Sequence, residues 1–304
     1  MFVHVLGTAA GGGYPQWNCA CRLCRRARSS PDRFPPRLHA SLAFGVDRRR
    51  WYLVNATPDV RFQIESFTAL QPGPDLRHTP ICGVLLTDAE LDHTLGLFML
   101  REGAALDVYG TAAVLGALRA DLPVERLIAP YAQFRWHEVN TGEPFLLDQD
   151  RLQVTAIRLG TKRPRYVASA ESGGASHDDW VVGYRLEDRE SGGAVVYAPG
   201  VERWTSALDA ALDGADAIFL DGTFWSEDEM ALTGAGTLTA RQMGHVPVSG
   251  PGGTAERLRP LAAKDRIYVH INNTNPVLDS DSAERRMLED WGLIVGSDGM
   301  DLEV

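Results

Sequence analysis

The chain has 304 residues, of which 44% are hydrophobic and 23% charged, and this balance excludes a disordered or fibrous protein. Forty acidic residues against 30 lysines and arginines give a net charge of −10, which disfavours binding to nucleic acid or to an anionic membrane. No apolar run is long enough to span a bilayer, and no basic segment precedes the first apolar stretch as in a secretory signal. We therefore expect a cytoplasmic protein without direct membrane insertion.

The first half of the chain alternates short apolar strands with helices. The predicted strands are 2–6, 40–44, 51–54, 81–86 and 106–109, and the predicted helices are 91–101 and 111–120. A glycine-rich segment, 11–13, follows the first strand without the spacing of a dinucleotide-binding motif. We expect this segment to let the backbone approach a functional site or turn sharply.

The second half repeats these elements in a different order. Its predicted strands are 152–157, 180–185, 194–197, 217–220 and 266–271, and its predicted helices are 203–212, 255–263 and 282–291. The polar segment 163–179, rich in Gly and Ser, is predicted to be a mobile loop. Strands in both halves with helices between them predict an α/β fold, an αββα sandwich of two packed mixed sheets that forms one domain over residues 1–304.

Three of the four cysteines form a Cys-x-Cys-x-x-Cys cluster, consisting of Cys19, Cys21 and Cys24. In a long chain without a secretory signal, three thiols within six residues indicate a metal site rather than disulfides. Three reduced thiols without a metal are the alternative. Cys82 lies apart, inside a predicted apolar strand, and is expected to be a small buried hydrophobic residue.

A second group of chemistry-bearing residues follows the predicted strand 81–86. Asp88, Glu90, Asp92 and His93 lie within six residues there, at the start of the next predicted helix. Loops at strand ends commonly form functional sites in α/β proteins. Acidic residues in a first helical turn also stabilise the helix dipole, which accounts for Asp88 and Glu90 but not for the adjacent Asp92 and His93.

This segment resembles the first motif of the metallo-β-lactamase superfamily, His-x-His-x-Asp-His, with Asp88 and Glu90 replacing the first two histidines. Further motifs of the superfamily resemble later segments of the chain, and the residues that match them are His177, Asp221, His245 and His270. The third motif falls at 197–200, where the bridging aspartate of the superfamily is missing. The resemblance implies a metallo-β-lactamase-like αββα sandwich.

Three of the superfamily's metal ligands are retained, namely Asp92, His93 and His270. Two imidazoles and one carboxylate with positions left open form the facial triad of non-haem Fe(II) oxygenases. A hydrolytic dizinc site instead needs a bridging hydroxide between two ions. We therefore expect catalytic Fe(II) at these three residues and no tight second ion at Asp88 and Glu90.

Longer stretches resemble one family within this superfamily, that of pyrroloquinoline quinone (PQQ) biosynthesis protein B. The matching stretches are 7–19, 55–59, 100–103, 243–245, 270–276 and 298–300. The resemblance implies an iron-dependent hydroxylase that acts on the tyrosine ring of a cross-linked Glu–Tyr precursor, alongside other PQQ-biosynthesis proteins. Two alternatives remain: a carrier that assists the transport of PQQ or its precursor to the periplasm, and a zinc phosphodiesterase-like hydrolase.

The cysteine cluster resembles the structural zinc site of a carbon–phosphorus-lyase-associated phosphodiesterase. Asn273 falls at the position of that site's fourth ligand, a histidine, so we expect structural Zn(II) with an oxygen donor completing the site.

The remaining site residues have alternative roles at the level of the sequence. His245 is expected to bind substrate or shuttle a proton, or else to be a hydrogen-bonded loop histidine. Asp221 is expected to be a further ligand or to orient His270 or His245. A carboxyl-rich substrate needs cationic side chains at the mouth of the site. The substrate-binding candidates are Asp88, Glu90, His177, Arg101 and Arg185, with the two arginines as the cations.

Overall fold

A computed structural model describes residues 1–102, 105–167 and 179–304. Its strands form two seven-stranded sheets. The first sheet contains β1 (Phe2–Gly7), β2 (Ser41–Gly45), β3 (Trp51–Val54), β4 (Ile81–Leu85), β5 (Leu106–Gly110), β6 (Phe134–Glu138) and β14 (Asp301–Glu303), in the spatial order β14-β1-β2-β3-β4-β5-β6. The second contains β7 (Pro144–Leu147), β8 (Leu152–Gly160), β9 (Val181–Asp188), β10 (Ala194–Ala198), β11 (Ala217–Asp221), β12 (Asp265–Val269) and β13 (Ile294–Val295), in the order β13-β12-β11-β10-β9-β8-β7.

Both sheets are mixed, with parallel pairing where the site lies. Strands β3 to β6 run parallel to one another, as do β10 to β13, and the remaining pairs are antiparallel. The ends of β1 and β12 are joined across the sheets, because the backbone amide of Ile271 donates to Thr8 and that of Ala10 donates to Ile271. This contact brings the carboxyl ends of strands from both sheets together.

Helices cover the outer faces of both sheets. They are α1 (Arg22–Ser29), α2 (Val60–Ser66), α3 (Leu91–Thr94), α4 (Ala112–Ala120), α5 (Val124–Ile128), α6 (Ser206–Leu212), α7 (Glu229–Leu232), α8 (Thr254–Leu258) and α9 (Ala283–Asp290), with 3-10 helices at Thr68–Leu70, Leu95–Glu102, Arg241–Met243 and Pro276–Leu278.

A buried cluster between the sheets takes side chains from both, among them Phe44 and Leu85 from the first and Tyr184 and Phe219 from the second. Two further clusters lie under the helices on the outer faces. The predicted αββα sandwich of two mixed sheets is confirmed.

The predicted helix 91–101 differs from the structure, which has the one-turn helix α3 followed by a 3-10 helix. The carbonyl of His93 accepts the amide of Ala56, from the loop after β3, instead of an amide of its own helix. Gly96 also packs so closely on this loop that a Cβ would lie 2.2 Å from the carbonyl oxygen of Thr57. The α-helix ends early because the neighbouring loop takes its hydrogen bond.

The predicted loop 163–179 is described only at its two ends, and His177 lies outside the described residues. In the described parts of the chain, no helix combines the length and apolar character needed to cross a membrane.

Candidate metal centre

A cavity of about 200 Å³ opens where the ends of β4, β11 and β12 meet. The segment after β4 brings Asp92 and His93 to it, and the residue directly after β12 is His270. Ligand atoms of these three side chains lie within 4.8 Å of one another. The retained residues of the superfamily motifs are therefore brought together at one wall of the cavity.

His93 is buried, and its Nε2 has no hydrogen-bond partner in the described structure, although Asp92 Oδ2 lies 3.6 Å away. Asp88 Oδ2 lies 2.7 Å from the other ring nitrogen, Nδ1. A carboxylate accepts the Nδ1 proton, so Nε2 carries the lone pair and is free to bind a metal ion. An unpartnered buried nitrogen beside a carboxylate fits a site that binds a metal ion.

Both oxygens of the Asp88 carboxylate accept hydrogen bonds from the protein. Besides the imidazole, it accepts the hydroxyl of Thr87 at 2.8 Å and the backbone amide of Glu90 at 2.9 Å. Burial opposes the charge of Asp88, but the facing imidazole outweighs burial and lowers its pKa to about 2. Burial also opposes the charged form of His93, but the carboxylates of Asp88 and Asp92 raise its pKa to about 9, so a cation bound at Nε2 would take the place of a proton there. Asp88 therefore orients a histidine, and it also lines the cavity, so its contact with substrate stays a prediction.

His270 is oriented by a residue that the sequence reasoning did not single out, Thr223. Its hydroxyl donates to Asp221 Oδ1 at 2.6 Å and lies 2.7 Å from His270 Nδ1, whose proton it accepts. The Nε2 atom of His270 is then free, as in His93. Burial, with the nearby His93 and His245, lowers the pKa of His270 to about 4, which keeps the imidazole neutral as a metal ligand requires. Thr223 lies two residues after Asp221, a predicted site residue, and that proximity was the available signal.

Asp221 is completely buried and both of its oxygens accept hydrogen bonds. Oδ1 accepts the hydroxyl and the amide of Thr223, and Oδ2 accepts the amide of Val201 at 2.8 Å and Nδ1 of His245 at 2.7 Å. Asp221 lies in a second ligand group with His245 and His270, within 4.8 Å, but its four hydrogen bonds favour the orienting role. The His245 ring stacks 5.4 Å from that of His270 and lines the cavity.

The glycine-rich loop approaches this wall as expected. A Cβ on Gly11 would lie 3.2 Å from Asp92 Oδ2, so a larger residue would press on the carboxylate.

The two arginines that were expected at the mouth, Arg101 and Arg185, do not line the cavity in the described structure. Arg101 donates to the carbonyl of Phe98, and Arg185 donates to the carbonyls of Ala211 and Asp213 at the end of α6. Carbonyls at a helix C-terminus attract cations, which explains where Arg185 points. The cation that lines the cavity is Lys162, from a polar segment without a motif.

The cysteine cluster forms a separate site at the start of α1. Its three sulfurs lie within 4.8 Å of one another. Cys21 is the N-cap of α1, and its Sγ accepts the amide of Cys24 at 3.4 Å. Burial opposes ionisation of Cys21, but hydrogen bonds from the Cys24 amide and the Cys19 thiol outweigh it and lower its pKa.

Asn273 lies beside the cluster, as expected for the fourth position. Its side-chain nitrogen donates to Cys19 at 3.2 Å and to Cys24 at 3.3 Å. An amide nitrogen does not bind a metal, whereas a half-turn of the amide group would bring Oδ1 to the same place.

Comparison with known proteins decides the family. Residues 50–271 match the model of the beta-lactamase superfamily domain. The chain is 44% identical over 303 residues to coenzyme PQQ synthesis protein B of Cupriavidus necator, covering 99% of this chain and 98% of that one. It is 41% identical over 307 residues to the Pseudomonas aeruginosa protein of the same name, with both chains covered completely. The chain belongs to the coenzyme PQQ synthesis protein B family.

Solved structures agree with this family. The Zn²⁺-bound PqqB from Methylobacterium extorquens has a TM-score of 0.91 and 38% identity, with both chains fully covered. A diphosphatase of the PhnP family has a TM-score of 0.70 at 21% identity, covering 100% of this chain and 97% of that one, and it shares the fold.

In this family member, the loop after His270 is tied to a buried carboxyl, that of Glu229. Glu229 Oε1 accepts the hydroxyl of Thr274 at 2.6 Å, and Oε2 accepts the amide of Trp225 at 2.6 Å. Asn272 donates in turn to Thr274 at 2.6 Å and lines the cavity. Burial raises the pKa of Glu229 to about 7.

The stability of the Glu229→Gln variant relative to the wild type is expected to be higher at pH 8 than at pH 5. A raised pKa means that the folded state holds its proton while the unfolded chain loses it. The stabilising contribution is therefore complete below about pH 4.5 and is lost as pH rises to about 7. Glutamine cannot ionise, so the difference should reach about 3 kcal/mol. Denaturant unfolding at both pH values measures it, and an equal difference at both would contradict the prediction.

Proposed function

We propose that the protein is an Fe(II)-dependent hydroxylase of PQQ biosynthesis that acts on the tyrosine ring of a cross-linked Glu–Tyr precursor. The observation that carries this proposal is the convergence of one carboxylate and two imidazoles, Asp92, His93 and His270, at one wall of a cavity. The names of the family members support the pathway. A 2-His-1-carboxylate set is the ligand set of non-haem iron oxygenases.

The residues around these ligands fit a bound cation. His93 Nε2 has no partner in the described structure, and the carboxylates of Asp88 and Asp92 favour positive charge beside it. Iron bound there would supply the redox chemistry for inserting oxygen into an aromatic ring. Asp88 binds Nδ1 of His93, and Thr223 binds Nδ1 of His270. Both Nε2 atoms therefore remain available to the cation. Such orientation typically contributes 10- to 100-fold to metal affinity or activity.

His245 is the residue that we assign to proton transfer. Its Nδ1 is held by Asp221, and the residue lines the cavity. The Nε2 atom would accept the proton of a phenol oxygen, since a positioned imidazole is the commonest general base in proteins. Phe224 meets the His245 ring edge-on at a centroid distance of 5.9 Å.

At the cysteine cluster we propose a structural zinc ion. Three thiols with the Asn273 side chain in contact form a closed set of four groups, as structural zinc sites require. The relative from Methylobacterium extorquens is described as Zn²⁺-bound, which is consistent with zinc in this family.

Metal exchange at the cavity tests the hydroxylase proposal. Protein purified without oxygen and loaded with either Fe(II) or Zn(II) is incubated with the cross-linked Glu–Tyr compound, oxygen and a two-electron reductant such as ascorbate, because inserting one atom of O2 into the ring requires the other to be reduced to water. We expect a product heavier by whole oxygen atoms from the iron form alone, since zinc has no redox chemistry. Equal activity of both forms would favour a zinc hydrolase, and specific binding of PQQ without turnover by either form would favour a carrier.

A further inference from the structure

Two opposite charges at the cavity are not used by the proposed metal centre. Glu90 and Lys162 both line the cavity and lie close enough to influence each other's charge, but they form no ion pair. The Glu90 carboxylate accepts no hydrogen bond from the described residues, although the side chain is half-buried. Asp88 and Asp221, by contrast, use both of their oxygens. Glu90 thus offers an unpartnered anion to whatever enters.

Lys162 offers the matching cation. The chain has only two lysines, Lys162 and Lys264, and the undescribed residues 168–178 contain no lysine or arginine. The Lys162 ammonium contacts a neutral partner, the carbonyl of Met243, so its charge is not balanced there. Its stem lies over Gly244, where a Cβ would come 2.6 Å from Lys162 Cδ. The Lys162 backbone amide is anchored by Glu202 at 3.1 Å. The position of this lysine is therefore built into the structure.

We propose that Glu90 and Lys162 recognise the ammonium and the carboxylate of an α-amino acid group on the substrate. This assignment rests on the proposed function, because that function places the aromatic ring of an amino-acid substrate at the metal. A free α-amino acid group carries both charges next to each other, whereas a residue inside a peptide carries neither. The pair would bind the free α-amino acid group of the substrate and would orient the aromatic ring toward His93 and His270. Charge-assisted hydrogen bonds give such recognition its strength.

Three catechols that differ only in their charged groups test this assignment. They are 3,4-dihydroxyphenylalanine with both charges, dopamine with the ammonium alone, and 3-(3,4-dihydroxyphenyl)propanoate with the carboxylate alone. Binding to the zinc-loaded, full-length protein is measured without oxygen by calorimetry, so no turnover is needed. Lys162→Met keeps the stem over Gly244 and removes the charge, and Glu90→Gln keeps the shape of the carboxyl group. Lys264→Met is the matched control.

The expected result is a crossed pattern. Lys162→Met should weaken binding of the two carboxylate ligands about fivefold and leave dopamine unchanged, and Glu90→Gln should weaken the two ammonium ligands about fivefold and leave the propanoate unweakened. Equal weakening of all three ligands, or no change in any, would overturn the assignment. Loss of zinc from Glu90→Gln would also overturn it, since Glu90 would then be a metal ligand. A crossed pattern without hydroxylation by the iron form would leave this assignment standing and reject the proposed reaction alone.

Discussion

Replacing His270 with alanine is expected to remove iron from the cavity and abolish oxygen-dependent hydroxylation, while zinc at the cysteine cluster stays bound. One of three proposed ligands is lost, and the remaining Asp92 and His93 cannot hold a divalent ion tightly by themselves. We expect iron affinity to fall by more than about 100-fold, since even the partners that orient metal ligands contribute 10- to 100-fold. Metal content by mass spectrometry and turnover of the Glu–Tyr compound measure the two effects.

The backbone at His270 calls for a second variant. His270 has a positive φ of 55°, which an alanine adopts with strain. Asparagine tolerates this conformation better and also removes the imidazole, so His270→Asn separates lost ligation from lost stability. His137→Ala serves as the control, because His137 is partly exposed on β6 and pairs with Asp107, away from the cavity. Hydroxylation by a folded His270→Asn protein would contradict the assignment of His270.

The fold was predictable because the apolar pattern specifies it locally. The predicted strands 81–86 and 217–220 are short and apolar, and they correspond to β4 and β11. Asp88 lies shortly after β4, and Asp221 is the last residue of β11. Elements with weaker patterns were missed. Strand β6 is only partly buried, and β13 has two residues that pair with β12 at the edge of the sheet. Such edge strands form by pairing with a neighbour, which a local pattern does not contain.

The residues that converge at the cavity could be read from the motifs, but the hydrogen bonds around them could not. Asp88 fills a position where relatives in the superfamily carry a histidine ligand, and here it binds the imidazole of His93. The hydroxyl of Thr223 connects Asp221 with His270 over 47 residues of chain, a contact that only folding creates. Arg185 was a reasonable cation for the mouth, but its strand directs it to the end of α6, and Lys162 lines the cavity. The negative net charge and the expected acidic substrate indicate that the site needs a cationic side chain, but they do not show which residue supplies it.

Replacing Cys21 with serine is expected to release zinc from the cysteine cluster and lower the thermal stability without a direct effect on the chemistry at the cavity. Three thiolates hold the proposed ion, and serine is a poor zinc ligand at neutral pH. Zinc binding contributes folding free energy because the site does not exist in the unfolded chain. With an unfolding entropy of about 2.1 cal/mol/K per residue, loss of about 3 kcal/mol would lower the melting temperature of this 304-residue chain by roughly 5 °C. Thermal unfolding and zinc content are the measurements.

The position of Cys21 makes this substitution a sharp test. Cys21 is the N-cap of α1, and serine is among the preferred N-cap residues, so the variant should keep or improve the cap. A loss of stability would then come from the metal and not from the helix. Cys82→Ser is the control, because Cys82 lies in β4 outside the cluster and its thiol donates to the carbonyl of Pro80. Chelation should lower the wild type to the stability of Cys21→Ser and leave the variant unchanged. A Cys21→Ser protein that retains both its zinc and its melting temperature would show that the three thiols are not a metal site.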